Sequence, residues 1–205
     1  MRRAEPGIDP ARTDRYTFDG DAAVEERIGR DQALISRAVN EALPGEGFRA
    51  LVLMGGYGRG EGGYCIDDHG QPAPYNDYDY FVVMQGLSKR SLRRAQPSMN
   101  ALGERLEGQV GVEVDFAFLR EEALPSAEYS LMNAEMLWGH RVVSGDTTIL
   151  DTMPAMPFST LPKGEFVRLL INRGALLLMN EMDLADAGPL DDARRERFVK
   201  YLFKA

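Results

Sequence analysis

From Asp21 the apolar residues Val24, Ile28, Ile35, Val39 and Leu43 recur at helical spacing, one stripe on one face. Asp21 stands as the N-cap and Pro44-Gly45 as the stop, so this stretch predicts a first helix. Residues 48–54 form a short, continuous apolar run bounded by glycines, which predicts a buried strand. That strand leads directly into Gly55-Gly56-Tyr57-Gly58-Arg59-Gly60-Glu61. Residues 62–74, rich in Gly, Asp and Pro, predict a surface loop, and residues 77–84 resume an aromatic and apolar strand that opens on two aspartates. Residues 87–110 follow a mostly helical pattern in which Pro97 predicts a break or a second helix start. Residues 112–118 alternate strictly: Val112, Val114, Phe116 and Phe118 face one way, Glu113, Asp115 and Ala117 the other.

Further on, residues 126–139 predict a helix, Arg141-Val142-Val143 a short strand ending at Gly145-Asp146, and residues 147–162 a connector. Residues 166–182 and 191–204 predict two more helices, separated by Ala187-Gly188-Pro189. The order of elements implies an α/β (α+β) fold: a short mixed sheet flanked by helices, followed by a C-terminal helical segment. Three regions result: a flexible N-terminal arm over 1–20, a catalytic domain over 21–146, and a connector with helices over 147–205. The last helix still shows Phe198, Tyr201 and Leu202 at helical spacing without a stop signal, so the helical segment reads as incomplete.

Composition narrows the function classes. With 44% apolar and 27% charged residues, the 205-residue chain has the makeup of a globular domain. No apolar run approaches the roughly 18 residues of a membrane span, and no apolar stretch follows Met1-Arg2-Arg3 as in a secretory signal. The single cysteine, Cys65, has no partner for an internal disulfide, and a cytoplasmic location is expected. A net charge of -8 disfavours a long nucleic-acid substrate, which proteins grip through basic faces. Two local basic runs, Lys89-Arg90 with Arg93-Arg94 and Arg194-Arg195 with Arg197, read as solvated helix faces.

The chemistry concentrates between the first strand and the third. Alternate strand residues project to one side about 6–7 Å apart, so Asp77 and Asp79 present two carboxylates to one face. Asp115 completes a three-carboxylate cluster if its strand neighbours theirs; Glu113 shares its polar face and remains an alternative. Oxygen-only ligands suit Mg²⁺ or Mn²⁺, which also bind triphosphate oxygens. A strand leading into glycines and a helix N-terminus offers free N–H groups to phosphate. Each signal alone has an ordinary explanation, solvated acids at a strand start or glycines in a tight turn; their order is the informative feature.

Leu53-Met54-Gly55-Gly56, Asn76-Asp77-Tyr78-Asp79-Tyr80 and Val114-Asp115-Phe116 together resemble the DNA polymerase β nucleotidyltransferase superfamily, and residues 55–61 are similar to the turn of protein uridylyltransferases. The resemblance spans residues 48–118. It implies a nucleotidyltransferase-like fold and a metal-dependent transferase that moves a nucleoside monophosphate from a nucleoside triphosphate such as ATP, releasing pyrophosphate. The acceptor would be a hydroxyl of a small molecule or a protein. Gly55 and Gly56 would approach the β- and γ-phosphates. Asp77 and Asp79 would bind the metals, and Asp115 would hold the second metal and help deprotonate the acceptor.

Two departures stand out: the segment between Gly56 and Asp77 is longer than usual, so residues 62–75 read as an inserted lid or acceptor-binding element, and Asn76 replaces a common serine. Arg59 is assigned to phosphate binding, with a surface arginine as its alternative, and Glu61 either orients Arg59 or solvates the helix start. Lys163, Arg168 and Arg173 read as a helix face paired with acids. His69 and His140 lie too far apart for a zinc site, and Trp138, Met132, Met136, Met179 and Met182 read as core. The contrasting function is a nucleotide-binding or interaction module that keeps the fold without catalysis.

Overall fold

A computed structural model describes residues 14–43, 45, 47–67, 69–185 and 191–204. Pro44 and Ala187-Gly188-Pro189, expected as breaks, lie outside the described residues, as does most of the expected N-terminal arm. The chain divides into two units. One holds the described residues up to 128 with 132–157, the other residues 129–131 with the described residues from 158 on.

The first unit opens with helix α1 (Ala22–Ala42), whose N-cap Asp21 accepts from the N–H groups of Ala23 and Val24 as its sequence position predicts. Strand β1 (Phe48–Leu53) runs into a single helical turn, α2 (Gly55–Gly58). Strands β2 (Tyr64–Ile66) and β3 (Pro72–Pro74) form a hairpin, and strand β4 (Tyr78–Met84) follows. Helix α3 (Lys89–Val110) crosses to strand β5 (Val114–Arg120); a 3₁₀ turn at Glu121–Ser126, helix α4 (Leu131–Trp138) and strand β6 (Arg141–Gly145) complete the unit's main elements.

The four-stranded sheet has the order β5-β4-β1-β6. β1 is antiparallel to β4 and to β6, whereas β4 and β5 are parallel, so the sheet is mixed as expected. One face carries Leu51, Leu53, Tyr78, Tyr80, Val82, Val114 and Phe116, buried in one cluster with Val24, Ile28, Ile35 and Val39 of α1 and Leu102 and Leu106 of α3. At about 1.5–3 kcal/mol for each fully buried large apolar side chain, this cluster is the principal source of the unit's stability. Gly103 lets α3 approach β5: a Cβ there would lie 2.2 Å from the carbonyl oxygen of Val114.

Three local expectations are corrected. Pro97 does not break α3, which runs continuously through it; the loss of one N–H is borne by a helix whose buried residues Leu92, Met99, Leu102 and Leu106 hold it against the sheet. The segment expected as loop over 62–74 contains the β2–β3 hairpin, with Tyr64 opposite Pro74 and Ile66 opposite Pro72; three-residue strands with two prolines show no alternation long enough to read. The helix expected over 126–139 begins only at Leu131, after the 3₁₀ turn that contains Pro125.

The second unit is built on α5 (Lys163–Ala185) and α6 (Asp192–Lys204). The Asn180 amide, buried, donates to the carbonyl of Phe198 at 3.0 Å, and Arg197 pairs with Asp183 at 2.9 Å. Arg168 pairs with Glu165 at 2.8 Å, in keeping with a helix face of paired charges. Met179 and Met182 are exposed, and so is Met132 of the first unit; only Met136 of the four methionines read as core is buried.

Candidate active site

The site forms where β1 ends and β4 and β5 begin. Met54 donates its N–H to the carbonyl of Asp79 at 2.8 Å, which fixes the end of β1 against the start of β4. The chain then turns at Gly55, whose φ of 65° belongs to the left-handed region. A Cβ at this position would stand 3.1 Å from the Oδ2 of Asp79, so the glycine lets the carboxylate lie directly against the turn. The N–H groups of Gly55 and Gly56, in the first turn of α2, have no acceptor among the described residues. The turn closes through Gly58, where a Cβ would meet the Leu53 carbonyl at 2.5 Å, and through the bond from the Glu61 N–H to the Gly56 carbonyl at 2.8 Å.

The β4–β5 register settles which carboxylates are neighbours. Asp79 is the direct partner of Asp115, and the two side chains project to the same face of adjacent parallel strands. Glu113 precedes β5; its carbonyl accepts from the Tyr78 N–H at 2.9 Å. Asp79 and Asp115, with Gly55, Arg59, Met132 and Glu135, line a cleft of ≈ 460 Å³. Asp77, Glu113 and Gly56 do not line it. Among the described residues no three His, Cys, Asp or Glu side chains already converge into a metal cage. The donor chemistry of Asp79 and Asp115 nevertheless fits Mg²⁺, which binds through one or two carboxylates together with substrate phosphates rather than in an all-protein cage.

Arg59 sits at the C-cap of α2 and lies half-buried along the cleft. Its Nε pairs with Glu61 at 3.1 Å, and a Cβ at Gly139 would fall 2.2 Å from its Cγ, so the side chain is held between a carboxylate and a glycine backbone. The assignment of Glu61 as its orienting partner fits this geometry.

Two contributions carry no motif. Glu135 and Met132 reach the cleft from α4, and only the fold brings that helix beside Asp115. The buried Tyr57 hydroxyl donates to the Gly63 carbonyl at 2.6 Å and accepts from the N–H groups of Tyr75 at 3.0 Å and Asn76 at 3.1 Å. Asn76 in turn accepts from the Gly63 N–H at 2.8 Å. These bonds clasp both ends of the 62–75 segment to the glycine turn, immediately before Asp77. Burial pushes the Tyr57 hydroxyl up to about 12, so it keeps the proton it donates. The hairpin inside this segment packs with β3 against α1, and none of its residues lines the cleft.

The opposite face of β4 is anchored as closely. The Tyr78 hydroxyl donates to Asp31 at 3.0 Å and the Tyr80 hydroxyl to Gln32 at 2.5 Å, both buried beneath α1. Burial raises the Asp31 carboxyl, against the opposing pulls of Tyr78 and Arg27. The segment before α1 is tied here too: the N–H groups of Tyr16 and Thr17 donate to Glu25 at 2.6 and 2.8 Å, and Thr17 bridges to Gly62. No helix among the described residues is long and apolar enough to cross a membrane.

No family model and no curated protein matches the chain. Two solved structures are similar in part. One, a toxin–antitoxin with AMP-PNP, is 14% identical over 71% of this chain and 94% of its own, with a TM-score of 0.37. The other, the toxin–antitoxin MntA-HepT, is 13% identical over 72% of this chain and 94% of its own, with a TM-score of 0.35.

Proposed function

We propose that the chain is a metal-dependent nucleotidyltransferase that transfers a nucleoside monophosphate from a triphosphate such as ATP to a hydroxyl of a small-molecule or protein acceptor. The observation that carries the reading is the juxtaposition of Asp79 and Asp115 in register, with the Gly55 turn packed against the Asp79 carboxylate. A glycine turn with unpaired N–H groups beside two carboxylates is an arrangement suited to a triphosphate and a divalent cation.

In this reading Asp79 and Asp115 would hold Mg²⁺ or Mn²⁺ with the triphosphate, and Asp77, just before β4, would supply a further ligand. A bound cation would neutralise charge on the phosphates. The N–H groups of Gly55 and Gly56 receive the β- and γ-phosphate oxygens, and Arg59, braced by Glu61, adds a fixed positive charge along the cleft. Asp115 takes the proton of the acceptor hydroxyl. The acceptor oxygen then bonds to the α-phosphorus as the bond to the bridging oxygen breaks, and pyrophosphate leaves. The residues act through positioning and charge, with no covalent enzyme intermediate.

Asp77 does not line the cleft with Asp79 and Asp115, which favours a second reading, a module that binds nucleotide without transferring it. Pyrophosphate release with each ribonucleoside triphosphate and Mg²⁺ or Mn²⁺, with cell extract supplying the acceptor, separates the two. Release by the parent chain and none by Asp77→Ala with Asp79→Ala supports the transferase. Metal-dependent triphosphate binding without release supports the module, and neither binding nor release refutes both.

A further inference from the structure

We infer that the open edge of β5, with the groove between it and α3, is a docking site for an extended acidic segment of a protein partner. The backbone geometry comes first. The Glu113 carbonyl pairs with Tyr78 of β4, and strand residues alternate, so residues 115, 117 and 119 also direct their backbone groups to β4. Residues 114, 116, 118 and 120 then direct theirs to the outer edge. Along that edge α3 covers the first two positions: Gly103 sits against the Val114 carbonyl, and Gln96 donates to the Phe116 carbonyl at 2.6 Å. At Phe118 the cover ends, and the edge opens into a groove of ≈ 710 Å³ with Leu92, Phe118 and Leu119 among its lining residues.

Its rim is basic on a chain of net charge -8. Lys89, Arg93 and Arg120 border the groove, and Arg90 and Arg94 lie beside them on α3. Lys89, Arg90, Arg93 and Arg94 form no ion pair among the described residues, and the first turn of α3 holds no acid to offset charges placed at the positive end of the helix dipole. Pro97, also in the lining, lacks the N–H that would bond the Arg93 carbonyl, leaving that acceptor without its helical donor. Arg120 is already paired with Glu122 at 3.4 Å, so the site combines the unpaired cations of α3, an apolar floor, and strand-edge donors and acceptors. An extended peptide with carboxylates beside apolar residues complements all three, whereas a nucleic-acid backbone matches only the cations.

The test is a fluorescence-anisotropy titration of the full chain with a labelled peptide of alternating Glu and Val, about eight residues long. Controls are the same peptide with Lys for Glu, the same peptide N-methylated along its backbone, and a mixed-sequence RNA oligonucleotide. The Glu-Val peptide is expected to bind and to shift the Phe118 and Arg120 amide resonances, and both peptide controls are expected to fail. Lys89→Glu with Arg93→Glu, both at exposed positions, is expected to weaken binding about tenfold or more and to flatten its salt dependence. Absence of binding, binding that the charge reversals do not move, or RNA binding through Lys89 and Arg93 in place of the peptide would each overturn the inference.

Discussion

Strand β4 presents two faces built from alternate residues of one short run, and they differ in kind. Tyr78 and Tyr80 point into the core, buried, each hydroxyl fixed to a side chain of α1. Asp79 points the other way, into an open cleft beside Asp115 and Gly55. The core face gains apolar burial and uses two hydrogen bonds to hold the strand at one rotation about its axis. The cleft face inherits that rotation, which sets where its carboxylates stand. Stability and chemistry are thus divided by side of the strand, and substitutions on the two faces should separate cleanly.

The largest effect is expected on the cleft face. Asp79→Ala should lower nucleotidyl transfer by about 10²–10³-fold or more while leaving thermal unfolding nearly unchanged, because the side chain is exposed. A steady-state assay paired with a melting curve checks both halves. A matching loss of stability would mean that the two faces are not separable.

That division was partly legible in the sequence. The period-two pattern of residues 112–118 identified which residues share a face, and burial that alternates from Val114 to Ala117 bears it out, whereas Asp77 lies before the paired residues of β4. Which of Glu113 and Asp115 stands opposite Asp79 needed the register itself, since both sit on the polar side of one alternating run. Glu135 was invisible, because a helix that reaches the cleft through the fold leaves no local spacing to find. The Tyr57 clasp was equally hidden: its three hydrogen bonds join a glycine turn to residues up to 19 positions away. The hairpin and the continuity of α3 escaped because proline signals dominate locally, while pairing and burial decide the outcome.

On the core face, Tyr78→Phe removes the hydroxyl bound to buried Asp31 and should cost about 1–3 kcal/mol. Urea unfolding measures this, and transfer activity per folded molecule is expected to fall less than in Asp79→Ala. Gly55→Ala joins the two faces: the left-handed backbone disfavours the side chain by about 1–2 kcal/mol. Its Cβ also presses on Asp79, so triphosphate affinity should weaken along with stability.

Asp31→Asn gives the smallest effect, and its sign depends on pH. Burial holds the Asp31 carboxyl above its ordinary value of 3.8, so ionisation costs the folded state. The contribution is complete below pH 3.8 and is lost as pH rises through the folded value. Relative to the parent, the Asn variant should therefore gain melting temperature as pH rises from acid to neutral. A relative loss over the same interval would show that the charged form is the stabilised one.

Paramagnetic broadening of amide resonances by Mn²⁺, with and without a non-hydrolysable nucleoside triphosphate, measures directly whether the cleft binds cation and triphosphate together. Triphosphate-dependent broadening is expected to centre on Gly55, Asp79 and Asp115 and to be abolished by Asp79→Asn with Asp115→Asn. Broadening centred elsewhere, or unchanged by the double substitution, would contradict joint binding there.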